Sequence, residues 1–354
     1  MDISAKITGI KYTPFLCRKL HTFNLKDFEK ALSKEATFIL DVNKKNKIAV
    51  SWWVSAKRTR SYPYARVYDS LSFTGKKVTI IPIVKDEGKE GDRDFLQWDT
   101  ISLMSLLGIY VIVSYYNDAK VSSRYENKIT MQRFDIAHIK DNIKDLLSYQ
   151  SDPLHWNLSQ IDKVGEIGQM AIEAYDRISK KLNVAMHSKS SAQKRINELK
   201  KEKTVFMDLS RKLAKRAQSR ECTTIQPKEK LDGTKATLTI KNYLGGYYCF
   251  TSDEVNIKKS NIYLIEGKHT KYDKLPALDD IKDGLIKMIL FINLKEVEID
   301  GINYVPVPIL KLTMKGTFKA ETLNKSQKEV LKLLKHEAKI NRFKILINDE
   351  HITV

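Results

Sequence analysis

Between residues 237 and 310 the spacing of apolar residues switches from two to nearly four and back to two. This succession constrains the fold more than any other feature of the chain. Residues 237–250 alternate as a strand, with Gly245-Gly246 expected to bend it. The run Ile262-Tyr263-Leu264-Ile265 is short and wholly apolar, the pattern of a central strand covered on both faces. From about residue 278 to 294, Ile281, Leu285, Met288, Ile289 and Ile292 fall on one helical stripe, with Asp279 and Asp280 in the first turn, where the helix dipole favours acids. Asp300-Gly301 is a hairpin signal, and residues 304–310 read as a strand whose Pro306 and Pro308 predict an edge position. Strand, strand, helix, strand implies a mixed α/β class: a central mixed sheet flanked by helices.

The same stretch carries a chemical pattern. Asp253 stands just past the apolar run Tyr247-Tyr248-Cys249-Phe250, and the second run delivers Glu266, Gly267 and Lys268. Period-two alternation sends Glu266 and Lys268 to one face of their strand. On adjacent strands, two carboxylates and an ammonium would then meet at one place. Carboxylate oxygens suit Mg²⁺, which binds through few protein ligands and keeps several waters. An ammonium beside them would serve phosphodiester hydrolysis by stabilising charge in the transition state. The plainer alternative is a pair of surface charges flanking a core strand.

Asp253…Glu266-Gly267-Lys268, followed by an amphipathic helix and a further apolar strand, resembles the PD-(D/E)XK nuclease core of Type II restriction endonucleases, over about residues 164–312. The proline usual before the first acid is absent, since Ser252 stands there, so either Asp253 or Glu254 is the first acid of the motif. The resemblance implies a Mg²⁺-dependent endonuclease acting on double-stranded DNA. Asp253 and Glu266 would be metal ligands and Lys268 would assist the attacking water. It also implies a homodimer on palindromic sites and an acid from a preceding helix, for which Glu166 and Glu173 are candidates. The alternatives are a non-catalytic nucleic-acid-binding protein and a nuclease acting on RNA.

Charge supports a polyanionic partner. The 354-residue chain holds 62 Lys and Arg against 43 Asp and Glu, a formal net charge of +19. Such an excess attracts nucleic acid electrostatically. The three cysteines are too few and scattered for a disulfide framework or a zinc site. The seven histidines form no zinc-hydrolase spacing. No GxxxxGK[ST] and no GxGxxG occurs, so no nucleotide cofactor is expected. No apolar run approaches the roughly 18–20 residues that span a bilayer, and the first residues lack the apolar core of a secretory signal. The expectation is a cytoplasmic protein without a membrane partner.

Residues 1–150 read as an N-terminal α/β domain that contacts DNA, and 151–354 as a basic helical segment plus the catalytic domain. In the first, strands are expected over 37–42, 47–56, 78–84 and 110–116, with a helix over 95–107 that Gly108 ends. Strand, helix, strand over 78–116 implies a parallel pair. The loop 86–94 is expected to be a solvated connection. Lys57, Arg58, Arg60, Tyr62, Tyr64 and Arg66 form an aromatic and basic cluster suited to DNA contact. Ser55-x-Lys57 echoes a nuclease core lacking its carboxylate. Within the basic stretch 188–220, Lys194, Arg195, Arg211, Lys212, Lys215 and Arg216 are candidates for phosphate contact.

Overall fold

The structure, a computed structural model, describes residues 1–43, 45–57, 60–199, 234–242, 247–348 and 350–352. The chain forms two compact units: Leu20–Ser210 is one, and Met1–Lys19 with Arg211–Val354 is the other. The division therefore falls at 20 and 210, where a boundary near 150 was expected. Strand β1 (Asp2–Ile7) opens the chain but belongs with the C-terminal half.

The unit of residues 20–210 runs β2 (Thr22–Asn24), α1 (Phe28–Lys34), β3 (Thr37–Asp41), β4 (Lys47–Trp52), α2 (Pro63–Ser70), β5 (Lys77–Pro82), β6 (Val84–Asp86), β7 (Arg93–Phe95) and α3 (Trp98–Leu106). It continues with β8 (Tyr110–Ser114), β9 (Tyr116–Val121), β10 (Ile129–Phe134), α4 (Ile136–Ser148), α5 (Pro153–Asp162), α6 (Val164–Leu182) and α7 (Lys189–Leu199). Its main sheet has the order β2-β3-β4-β5-β8. The expected β3–β4 hairpin is antiparallel, and β5 and β8 form the expected parallel pair, Val78 opposite Tyr110. Gly108, at φ +70°, follows α3 as a helix-ending glycine should. The unit extends past residue 150 because α5 completes the backbone hydrogen bonding of β8. Trp156 donates its indole N–H to the Val111 carbonyl at 2.7 Å, and the Asn157 side chain accepts from the Val111 amide at 2.7 Å. A buried strand leaves no polar backbone group unpaired, and these side chains supply the partners a neighbouring strand would.

The other unit continues from β1 to β11 (Thr234–Asn242), β12 (Tyr247–Lys258), β13 (Asn261–His269), α8 (Leu278–Phe291), β14 (Lys295–Ile299), β15 (Ile302–Thr313), α9 (Lys325–Asn341), β16 (Lys344–Ile347) and β17 (Glu350–Ile352). Residues 237–250, expected as one bent strand, instead span two antiparallel ones, and Asp253 lies within β12 rather than past its end. The strands β13-β12-β11-β1-β14-β15 close on themselves through a β13–β15 pairing, and β16 and β17 extend the sheet from β15. Helix α8 carries the chain from β13 to β15, which run parallel, Glu266 opposite Leu310. Ile281, Leu285, Met288 and Ile289 of its predicted stripe are all buried.

Strand β15 is central, which corrects the edge position that Pro306 and Pro308 predicted. The Val305 amide donates to the Ser260 carbonyl, so odd-numbered amides point toward β13. Even-numbered positions point to the other side, where β14 pairs only with residues 302–304 and β16 only with 309–312. Pro306 and Pro308 occupy the interval between those pairings, where no N–H is needed.

Two polar anchors hold the N-terminal segment to this unit. The buried Glu337 carboxylate of α9 accepts from the Phe15 and Leu16 amides at 2.8 and 3.1 Å and from the Tyr12 hydroxyl. Asn341 reads both edges of Thr13, accepting its amide at 2.8 Å and donating to its carbonyl at 2.8 Å. Among the described residues, no helix is long and apolar enough to cross a membrane.

Candidate active site

Strands β12 and β13 form an antiparallel hairpin in which Glu254 pairs with Ile265. Continuing that register by one residue sets Asp253 directly opposite Glu266, so both side chains project from the same face of the sheet. The Gly267 amide donates to Asp253 Oδ2 at 2.9 Å, which fixes the Asp253 carboxylate beside the Glu266 strand. Lys268, two residues on, shares the Glu266 face and brings its Nζ to 3.0 Å from Glu266 Oε1. Asp253, Glu266 and Lys268 therefore come together as the spacing predicted. Glu254 does not join them: it projects to the opposite face, accepts from Asn256 Nδ2 at 2.8 Å, and lies 4.0 Å from Lys311 Nζ.

Helix α8 supplies three residues that sequence reasoning missed. Lys287 Nζ lies 2.5 Å from Glu266 Oε2 and donates to the Thr251 carbonyl at 3.2 Å. Asp283, one turn earlier, accepts from Lys268 Nζ at 2.6 Å. Gly284 lets the helix approach the strands, since a Cβ there would stand 2.7 Å from Leu310 Cδ1 and 3.2 Å from Lys268 Cε. The available signal was the i, i+4 pair Asp283 and Lys287, which falls beside Gly284 off the apolar stripe of the helix.

Electrostatics follow from this packing. Glu266 is only 1% exposed. Burial, then the negative charge of Asp253, push its carboxyl up to about 7 despite Lys287 and Lys268. Burial also acts to raise Asp253, but Lys287 and contacts with Glu266 and the Gly267 amide hold it below the ordinary value. Burial opposes the Lys268 charge too, and Glu266 and Asp283 overcome it and raise its pKa. The Lys268–Glu266 ion pair is thus favourable in itself. What resists ionisation of Glu266 is loss of water together with a second carboxylate alongside.

With Glu266 ionised, Asp253, Glu266 and Asp283 outnumber Lys268 and Lys287 by one charge, an imbalance that a hard divalent cation relieves. The carboxylate oxygens of Asp253 and Glu266 suit such an ion in kind, and a cation bound there would take the place of Lys268 or Lys287 at a Glu266 oxygen. No group of three or more His, Cys, Asp or Glu side chains placed to hold a metal occurs among the described residues. A cation at this pair would draw its remaining ligands from water and substrate oxygens, as Mg²⁺ commonly does.

The other candidates among the described residues lie in the unit of residues 20–210. Glu166 and Glu173 stand on α6, and Glu173 accepts from Gln169 at 3.1 Å. The loop expected to be a solvated connection is instead the β6–β7 hairpin, with Asp86, Glu87 and Asp94 buried. Arg60 bonds Glu87 at 2.9 Å, Asp94 at 3.1 Å, and Asp92. Burial would raise the Glu87 carboxyl, but Lys85 and Arg60 bring it down to about 2. Asp94 is the carboxylate that Ser55-x-Lys57 lacked in sequence: Ser55 Oγ donates to it at 2.8 Å and Lys57 Nζ lies 3.1 Å away. Arg60, Lys57, Lys85 and Lys128 together offset Glu87, Asp92 and Asp94, and the arrangement is an ion-pair network of the fold.

Those partners also change the reading of the proposed DNA-contact cluster. Tyr64 is buried against Trp53 and offers no surface to a duplex. Arg66 lies 4.4 Å over the Trp52 ring and donates to the Trp52 carbonyl at 2.8 Å. Arg60 is committed as above. Lys57 and Tyr62 are the exposed members, and Tyr62 adopts the left-handed region, φ 47°. Lys194 is exposed on α7, while Arg195 pairs with Glu198 at 3.0 Å. Arg58, Arg211, Lys212, Lys215 and Arg216 lie outside the described residues.

No protein-family model matches this chain, and neither a curated protein nor a solved structure is significantly similar to it.

Proposed function

We propose that the chain is a Mg²⁺-dependent, site-specific endonuclease of double-stranded DNA with a PD-(D/E)XK-type core, similar to the Type II restriction enzymes of restriction-modification systems. The observation that carries the reading is the meeting of Asp253 and Glu266 on paired strands with Lys268 Nζ 3.0 Å from Glu266. The order of elements supports it: an antiparallel β11-β12-β13 meander, the crossing helix α8, and β15 parallel to β13.

In this reading Asp253 and Glu266 hold the cation through carboxylate oxygens. When bound, Mg²⁺ supplies an activated water and screens charge on the attacked phosphorus. Lys268 orients that water and stabilises the extra negative charge of the transition state. Asp283 positions the Lys268 ammonium, and Lys287 fixes the second oxygen of Glu266 and offsets its charge. A +19 chain supplies the non-specific attraction to DNA. Two-fold symmetry would suit palindromic sites, and a homodimer is part of the proposal by resemblance alone.

A non-catalytic nucleic-acid-binding protein is the second reading. It is favoured by the two lysines already bonded to both oxygens of Glu266. Incubation of purified protein with unmethylated phage DNA, in Mg²⁺ and in EDTA, separates the two. Discrete Mg²⁺-dependent fragments are expected. Lys268→Ala should lower cleavage by roughly a hundredfold or more while leaving DNA binding nearly intact. Cutting retained by Lys268→Ala would remove this site from contention. Competition between DNA and RNA substrates tests the third possibility, a ribonuclease.

A further inference from the structure

The unit of residues 20–210 contains a cavity of about 730 Å³ that the cleavage chemistry does not use. That volume lies within the roughly 300–1,000 Å³ of small-molecule sites. Trp52 and Phe134 line it and meet edge to face with centroids 6.2 Å apart. The Trp52 indole N–H is committed to the Glu35 carbonyl at 2.8 Å and Arg66 covers one face of the ring, so what this side chain offers a ligand is the remaining ring surface rather than a donor. Phe134 is backed by the buried Tyr116 ring, stacked at 4.4 Å, which makes the aromatic wall rigid.

Met131, Leu32 and Ile136 complete the apolar lining. Met131 sits where the β9–β10 register shifts, in the left-handed region at φ 48°, with 66% of its surface exposed. A β-bulge at such a place re-aims a side chain, and a non-glycine residue held at positive φ marks a position the surrounding structure maintains against strain. The rim carries Lys26, Lys30 and Lys120, all exposed. Arg133 also lines the cavity but is paired with Asp118, and Asp27 and Glu29 are the acids present. An aromatic and thioether wall within a net-positive rim matches a planar ring attached to an anionic backbone. Stacking on aromatic side chains with phosphates on lysines is the chemistry by which single strands bind.

We infer that this cavity receives one unstacked nucleobase of a nucleic-acid strand, with the adjoining phosphates on Lys26, Lys30 and Lys120. The inference rests on the nucleic-acid reading given above but not on the metal site.

The test uses the full-length protein in EDTA and a short single-stranded oligonucleotide bearing one 5-iodouracil. Photocrosslinking and peptide mapping are expected to place the adduct on Trp52, Met131 or Phe134. Met131→Asp, at a position 66% exposed, should weaken binding roughly tenfold or more while leaving thermal unfolding unchanged. Lys144→Glu, an exposed reversal on α4 of the same unit, controls for general charge and should weaken it less than threefold. Adducts confined to other peptides, equal losses in the two variants, or no binding would each overturn the inference. Discrete Mg²⁺-dependent cleavage with adducts elsewhere would sink this inference and leave the endonuclease reading standing. Adducts in the cavity with no cleavage would do the reverse.

Discussion

Replacing Glu266 with Gln should stabilise the protein at alkaline pH while abolishing the proposed cleavage. In the folded chain the Glu266 carboxyl is raised from an ordinary 4.5 to about 7, by burial first and by Asp253 second. Below pH 4.5 the group is protonated whether the chain is folded or not, and contributes nothing. Between 4.5 and about 7 the folded chain holds a proton that the unfolded chain has released, so stability falls as pH rises. Above about 7 the whole penalty is present. A shift of about 2.5 units at 1.36 kcal/mol per unit makes it about 3 kcal/mol. Asp253 shifts the other way, so its effect belongs to pH values near and below 3.8, outside this window. Gln keeps the shape and hydrogen-bonding capacity of the protonated acid but cannot ionise. Urea denaturation at pH 5 and pH 8 in EDTA is the assay. Wild type should lose about 3 kcal/mol more than Glu266→Gln between the two pH values. Equal losses, or a variant less stable than wild type at pH 8, would refute the electrostatic account of the site. A larger loss in wild type would mean that the carboxylate is kept for function at the expense of stability, as buried active-site charges commonly are.

Three further outcomes follow from the same geometry. Lys287→Met removes the cation 2.5 Å from Glu266 and should move the rise of any Mg²⁺-dependent cleavage to higher pH, measured as a rate–pH profile; an unmoved profile would leave Lys287 a purely structural residue. Gly284→Ala, normally stabilising within a helix by roughly 0.5–1 kcal/mol, should instead destabilise by about 1–3 kcal/mol because its Cβ would press on Leu310 and Lys268, as thermal or urea unfolding would show. Arg60→Ala should destabilise the unit of residues 20–210 by about 1–3 kcal/mol by removing the charge-assisted bonds to Glu87 and Asp94, which keep Lys85 and Lys57; proteolysis confined to that unit would report it, whereas a DNA-contact role would leave stability unchanged.

Much of the architecture was legible as local periodicity. Apolar runs marked β3, β4, β5 and β8, and the 3.6-residue stripe marked α8, because burial in the core imposes those patterns whatever the partner is. The alternation of β13 likewise set Glu266 and Lys268 on one face, and the interval back to Asp253 left room for a hairpin. The three principal residues of the candidate site were therefore readable before any coordinates.

Partnership across long intervals was not legible. Strand β1 pairs with β11 more than two hundred residues later, Asp2 opposite Thr237, and nothing local encodes that choice. Pro306 and Pro308 pointed to an edge, since no sequence pattern says that β14 and β16 leave a gap beside them. The acids of the β6–β7 hairpin read as solvated until Arg60 and Lys57 were seen to neutralise them. Whether Asp253 or Glu254 faces Glu266 was settled by strand register, which a one-residue slip would have reversed. Lys287 and Asp283 joined the site because α8 crosses the sheet at that place. Local sequence determined the elements and the chemical groups that each could present. Only tertiary packing decided which charges are stripped of water and set against one another, since burial and separation set the energy of a charge and neither is a property of a single segment.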